Sequence, residues 1–166
     1  MESNNSNSEA SRPYQTKVSF GITSAVITSL ALIAGLDTIT NPKSGIIGSI
    51  LVIALADNLS DSMGIHLYLE SEHIVGNEVW LSTLTNFLAR LGVSLSFILL
   101  IAFLPIRTAV VCSIVWGFAV LAGLSYAIQH KRGKNPLYEA LVHIGLAALV
   151  ITGSHFAGSF LIDKFK

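Results

Sequence analysis

Charge is scarce in this chain: Asp, Glu, Lys and Arg make up 12% of its 166 residues, ten acidic against ten basic. A soluble domain carries about 25%. The formal net charge of zero leaves no basic stripe to neutralise phosphates, so nothing argues for a nucleic-acid partner. The single cysteine, Cys112, excludes an intrachain disulfide. Proline is absent from the interior of every long apolar run, since Pro42, Pro105 and Pro136 all fall where a missing N–H is tolerated. No GxSxG elbow, HExxH pair, phosphate-binding glycine loop or Cys/His metal spacing occurs, and no soluble-type catalytic site is expected.

Apolar length is abundant instead. Hydrophobic residues make up 52% of the chain and the mean hydropathy is +0.66. Runs long enough to cross a bilayer lie at about 18–36, 45–69, 82–104, 108–129 and 137–162, each beyond the ~17 residues a spanning helix needs. The expected architecture is all-α, a five-span membrane domain over 18–166. Residues 1–17, MESNNSNSEASRPYQTK, are polar and read as a disordered tail. The first span is expected to be retained, because the run is too long for a cleaved signal and lacks a clean small-residue cleavage site. Short connections such as LPIRT and HKRGKNP predict that consecutive helices are antiparallel neighbours.

Orientation follows Lys and Arg near the span ends. An inside N-terminus puts Arg12, Lys17, Lys131, Arg132 and Lys134 in the cytoplasm and Lys43, Arg107, Lys164 and Lys166 outside. The concentrated HKRGK cluster favours that choice, with the C-terminus outside or luminal.

Two carboxylates stand within the second run, GIIGSILVIALADNLSDSMGIHLYL. A helix from Gly45 places Asp57 roughly 18 Å along its axis, near the middle of a hydrocarbon core about 30 Å thick. An ionisable group there costs about 2.5–3.5 kcal/mol on insertion scales and ordinarily serves an ion path, a proton relay or a partner. On a helical wheel Asp57, Asn58 and Asp61 share one side and His66 points away. Met63 and Glu70 lie on another face. Hard oxygen ligands suit Mg, Ca and Mn, and imidazole with carboxylate also suits ferrous iron. In the first run Gly21, Ser24, Thr28, Ala31 and Gly35 recur every three or four residues. That stripe is either a small-residue packing seam or, through the Ser24 and Thr28 hydroxyls, part of a polar path.

Four segments resemble the vacuolar iron transporter family, the Ccc1-like five-span cation/proton antiporters. FGITSAVITSLALIAGL is similar to the family's first-span pattern, in which Asn-Asp-Gly-Leu-x-Ser/Thr is followed by Ala-Gly. ALADNLSDSM is similar to its second-span pattern around Gly-Glu-Tyr-x-Ser-x-Ser. NEVWLSTLTNFLARLGVSLSFILLIAFLP and HIGLAALVITGSHFAGSFL resemble the family's third-span opening and glycine-rich last span, so the likeness covers 18–104 and 140–161 in order. The family's first-span Asp falls at Ser24 and its second-span Glu at Asp57, with Asn58 where Tyr is usual. The link between spans two and three is too short for carboxylate-rich metal-binding helices. Glu70, Glu72, His73 and Glu78 could form a reduced cytoplasmic mouth.

The resemblance implies a homodimer whose cation path runs between the first two spans of paired subunits. Two Asp57 side chains with Ser24, Thr28 and Asn58 would then give roughly six or more oxygens to a divalent ion. Paired carboxylates repel each other, and either a metal or protons relieve that repulsion. The transported ion would be Fe²⁺ or Mn²⁺, with no permanently bound cofactor, leaving the cytoplasm in exchange for protons. The membrane would be the cell membrane of a prokaryote or a vacuole-like membrane of a eukaryote. Asp57, Asp61 and Met63 are the candidate metal ligands.

Each residue also has a plainer explanation. Asp61 and Arg90 each lie about 12 Å from the cytoplasmic ends of neighbouring spans, and an intramembrane ion pair between them would account for both charges. Asp57 has no comparably placed basic partner in the sequence and could instead be a carboxyl bonded to Ser24, Thr28 or a carbonyl. Met63 and Cys112 suit packing. Trp80 and Tyr138 suit interfacial anchoring. His143 and His155 suit imidazoles bonded to neighbouring helices. The rival function is therefore a non-transporting relative of the family, a membrane scaffold or interaction protein.

Overall fold

The computed structural model contains five long helices: α1 (Ser3–Leu36), α2 (Pro42–Ser71), α3 (Asn77–Phe103), α4 (Ile106–Arg132) and α5 (Pro136–Phe165). It describes the backbone of residues 3–38, 42–74, 76–132 and 136–165, and the side chains of 19–38, 42–74, 76–129 and 137–164. Among the described residues there is no β-strand. The side chains of the 1–17 segment, and those of Lys131, Arg132 and Lys134, lie outside that description.

Segments Ser19–Leu36, Pro42–Ser71, Asn77–Phe103, Ile106–Gln129 and Leu137–Lys164 are each long and apolar enough to cross a membrane. The chain is a multi-pass membrane protein. Its helices bear large apolar residues on their outer faces, among them Phe103, Leu137 and Leu149, as helices in contact with lipid do.

The core forms where the apolar stripes of all five helices meet. Val26, Leu30 and Ile33 of α1 pack with Ile46 and Ile50 of α2, Phe97 and Ile101 of α3, Ala109 and Leu121 of α4 and Ala147 of α5. Helix α1 is the inner element. The described span of α1 is 39% buried, against 6% for that of α5.

Two glycines set helix separations. A Cβ at Gly158 of α5 would overlap the Gly35 carbonyl oxygen of α1, and one at Gly117 of α4 would stand 2.7 Å from a Leu30 methyl. The small stripe on α1 therefore has divided duties, with Gly35 against α5 while Gly21 meets Asn86 and Arg90 of α3.

Helix α2 ends in a Schellman turn. The His73 N–H bonds to the Glu70 carbonyl (3.0 Å) and the Ile74 N–H to the Leu69 carbonyl (3.1 Å). His73 takes the left-handed conformation at φ 59°, a position glycine ordinarily fills. At the other end of the α2–α3 pair, Lys43 Nζ donates to the Ala102 carbonyl at 3.1 Å.

Candidate functional site: a charged triad and polar seam

Helix α2 buries Asn58, Ser62 and His66 on one line, along with Ile46, Ile50 and Ala54. Their four-residue spacing keeps them on one face. Helix α3 answers with Thr83, Asn86, Arg90 and Ser94, all buried and spaced by three or four. The Asn58 Oδ1 accepts from Arg90 Nε at 2.7 Å, and the Ser62 hydroxyl accepts from Asn86 Nδ2 at 3.2 Å. His66 Nδ1 stands 3.2 Å from the Thr83 hydroxyl. As residue numbers rise on α2 they fall on α3, giving three successive polar rungs.

Arg90 is the centre of the seam. Its side chain is wholly buried, whereas the Asp57 side chain is 45% exposed and that of Asp61 35%. Nη2 reaches Asp57 Oδ2 at 2.9 Å and the Ser24 hydroxyl at 3.4 Å. Nη1 donates to Asp61 Oδ2. Guanidinium geometry suits this task, because its planar fork serves several acceptors at once.

The expectation that Asp57 lacks a basic partner is thus corrected. Depth counting matched Arg90 to Asp61 alone, but a carboxylate one turn earlier lies within the same fork. His66 also needs correction: its ring belongs to the line of Asn58 and Ser62, on the buried face.

The triad holds two carboxylates and one guanidinium, so with all three ionised it carries one negative charge in excess. Asp57 stands midway between Pro42 and Ser71. It lines a narrow crevice among α1, α2 and α3 with Thr28, Ser29, Ala54, Asn58 and Ser94, and also borders an open outer depression with Thr28, Ile53, Ala56 and Ser60. Gly21 permits the arrangement from the side of α1, since a Cβ there would overlap Asn86 Oδ1 and press on the Arg90 stem. Asn58 Nδ2 and Asn86 Oδ1 are buried without a hydrogen-bond partner.

Met63 is 40% exposed and lies about 200° around α2 from Asp61, away from Arg90. Glu70 stands 3.4 Å from His66 Nε2. Glu72 and His73 are exposed in the turn that follows, and Glu78 is exposed in the first turn of α3. Among the described residues, no three His, Cys, Asp or Glu side chains form a metal-holding group.

Elsewhere, His143 Nδ1 is 2.8 Å from the Ser125 hydroxyl of α4, and His155 Nδ1 is 3.6 Å from Asp37 Oδ1 at the end of α1. Ser62, Thr83 and Asn86 were not singled out in the sequence. The signal for them was the recurrence of polar residues every three or four positions on both α2 and α3, which pairs them rung by rung. No family model matches the chain, and no curated protein matches it.

Proposed function

We propose that this chain is a membrane carrier that exchanges a divalent metal cation for protons, with Asp57 as the exchangeable carboxylate. The observation that carries the reading is the make-up of the triad, two carboxyl groups on one guanidinium at mid-span, held beside a crevice. Arg90 neutralises one carboxylate equivalent. The other needs a proton or a cation while it remains in an apolar surround, and alternation between the two is the chemistry of an exchanger.

Ser24, Thr28, Asn58 and Asp61 supply the further oxygens along the path. Fe²⁺ and Mn²⁺ are the substrates that the resemblance to vacuolar iron transporters favours, and oxygen donors suit Mn²⁺ in particular. Met63 takes no part unless α2 rotates, and Glu70, Glu72 and His73 form the cytoplasmic mouth.

A homodimer covers the exposed side of Asp57 with a second copy of α1 and α2. Support comes from a carboxylate left 45% exposed halfway along a spanning helix. The descending order of the α2–α3 rungs supports an antiparallel course for that pair. The cytoplasmic N-terminus and outward export rest on the Lys and Arg distribution.

Arg90 also favours a second reading. A guanidinium that bonds both carboxylates, Asn58 and Ser24 is what a purely structural ion cluster would contain, and a scaffold protein with this fold would need nothing more. Flux separates the two. Purified protein in liposomes should carry Mn²⁺ or Fe²⁺ faster under an imposed pH gradient, and Asp57→Asn should abolish this while the protein keeps its size in solution. Loss of folding or assembly in Asp57→Asn, with no flux by the parent chain, supports the scaffold.

A further inference from the structure

The His66–Glu70 pair lies outside the triad and is built like one edge of a metal site. The Thr83 hydroxyl has a single proton, and its 2.8 Å contact with the Val79 carbonyl takes it. The hydroxyl must therefore accept from His66 Nδ1, 3.2 Å away. In the neutral ring this leaves Nε2 as a bare lone pair. In that form it faces Glu70 Oε1 at 3.4 Å and two electron-pair donors confront each other across one helical turn, whereas in the doubly protonated ring the same contact is an ion pair.

We infer that His66 Nε2 and Glu70 Oε1 bind a first-row divalent transition cation at the end of α2. Two ligand atoms held by one tetrahedral ion at about 2.1 Å stand roughly 3.4 Å apart, which is the observed separation. Imidazole with carboxylate suits such ions. The supporting contacts are those a metal-binding histidine needs: the second ring nitrogen donates to a fixed acceptor, setting tautomer and orientation. The Trp80 ring flanks the imidazole at a centroid distance of 4.5 Å and limits its rotation. Glu70 is exposed, so the ion completes its shell with water. Although Glu70 also belongs to the proposed cytoplasmic mouth, this site is distinct from the triad and stands whether or not Asp57 carries ions.

Trp80 makes the site visible. The chain contains two tryptophans, and Trp116→Phe leaves Trp80 as the sole indole, adjacent to the proposed ion. Co²⁺ added to this full-length variant in detergent should quench its fluorescence saturably, and Zn²⁺ should reverse the quench by competition. Glu70→Gln, at an exposed position and checked for unchanged helix content, should weaken Co²⁺ by at least the roughly tenfold that loss of a supporting group costs at metal sites. Thr83→Val should weaken it as well, by freeing the ring. Quenching that rises linearly without saturation, or titrations of parent and Glu70→Gln that superimpose, would overturn the site. Asp57→Asn should leave the titration unchanged, so loss of Mn²⁺ flux and loss of Co²⁺ binding can be told apart.

Discussion

Arg90 Nη2 lies 2.9 Å from Asp57 Oδ2, while Nη1 of the same fork holds Asp61. One buried cation thereby ties together two carboxylates on successive turns of α2. Removing one partner of a buried ion pair costs about 3–5 kcal/mol, because the remaining charge is left uncompensated. Arg90→Ala should destabilise the protein by that order in thermal unfolding. Arg90→Met combined with Asp57→Asn and Asp61→Asn should recover much of the loss, since no charge is then stranded.

The Ser62–Asn86 rung should behave as a coupled unit. Ser62→Ala strands the Asn86 amide, which is fully buried, and a stranded polar group costs about 1–3 kcal/mol. A double-mutant cycle with Asn86→Ala should give a non-zero coupling in the same unfolding assay. Strict additivity would show that the two side chains stabilise the seam independently.

The α1–α5 contact depends on Gly158. Alanine there must move either helix, because its Cβ meets the Gly35 carbonyl, whereas a Cβ at Gly48 meets nothing within 4 Å. Gly158→Ala should lower stability by about 1–3 kcal/mol, the range for overpacked sites. Gly48→Ala should not lower it.

His73 sits in a conformation that costs a side-chain-bearing residue roughly 1–2 kcal/mol. His73→Gly should therefore raise the unfolding temperature. If this variant also keeps the flux of the parent chain, His73 has no part in the cytoplasmic mouth; slower flux at unchanged or higher stability would give it one.

Five spanning helices were legible in the sequence because apolar length is a local property. The level depths of Asp61 and Arg90 were legible for a similar reason, as both are counted from helix ends. The reach of Arg90 to Asp57 was not, because a guanidinium at the end of a long stem serves acceptors on two turns and counting gives it one. A helical wheel centred on the carboxylates turns His66 away from them and hides its place on the buried line. The buried line of α2 in fact runs through Asn58 and Ser62, with Asp57 and Asp61 at its margin. The division of the small-residue stripe, with Gly21 against α3 and Gly35 against α5, depends on which helices surround α1, and spacing within α1 carries no record of that.

The central claim is that the unneutralised carboxylate equivalent at Asp57 alternates between a proton and a divalent metal. The most direct test follows luminal pH with a trapped dye as Mn²⁺ is added outside liposomes that hold the purified protein. The account predicts that Mn²⁺ makes the lumen more alkaline as protons leave in exchange, and that Asp57→Asn removes the response. A response of equal size in Asp57→Asn, or none in the parent chain, would contradict it.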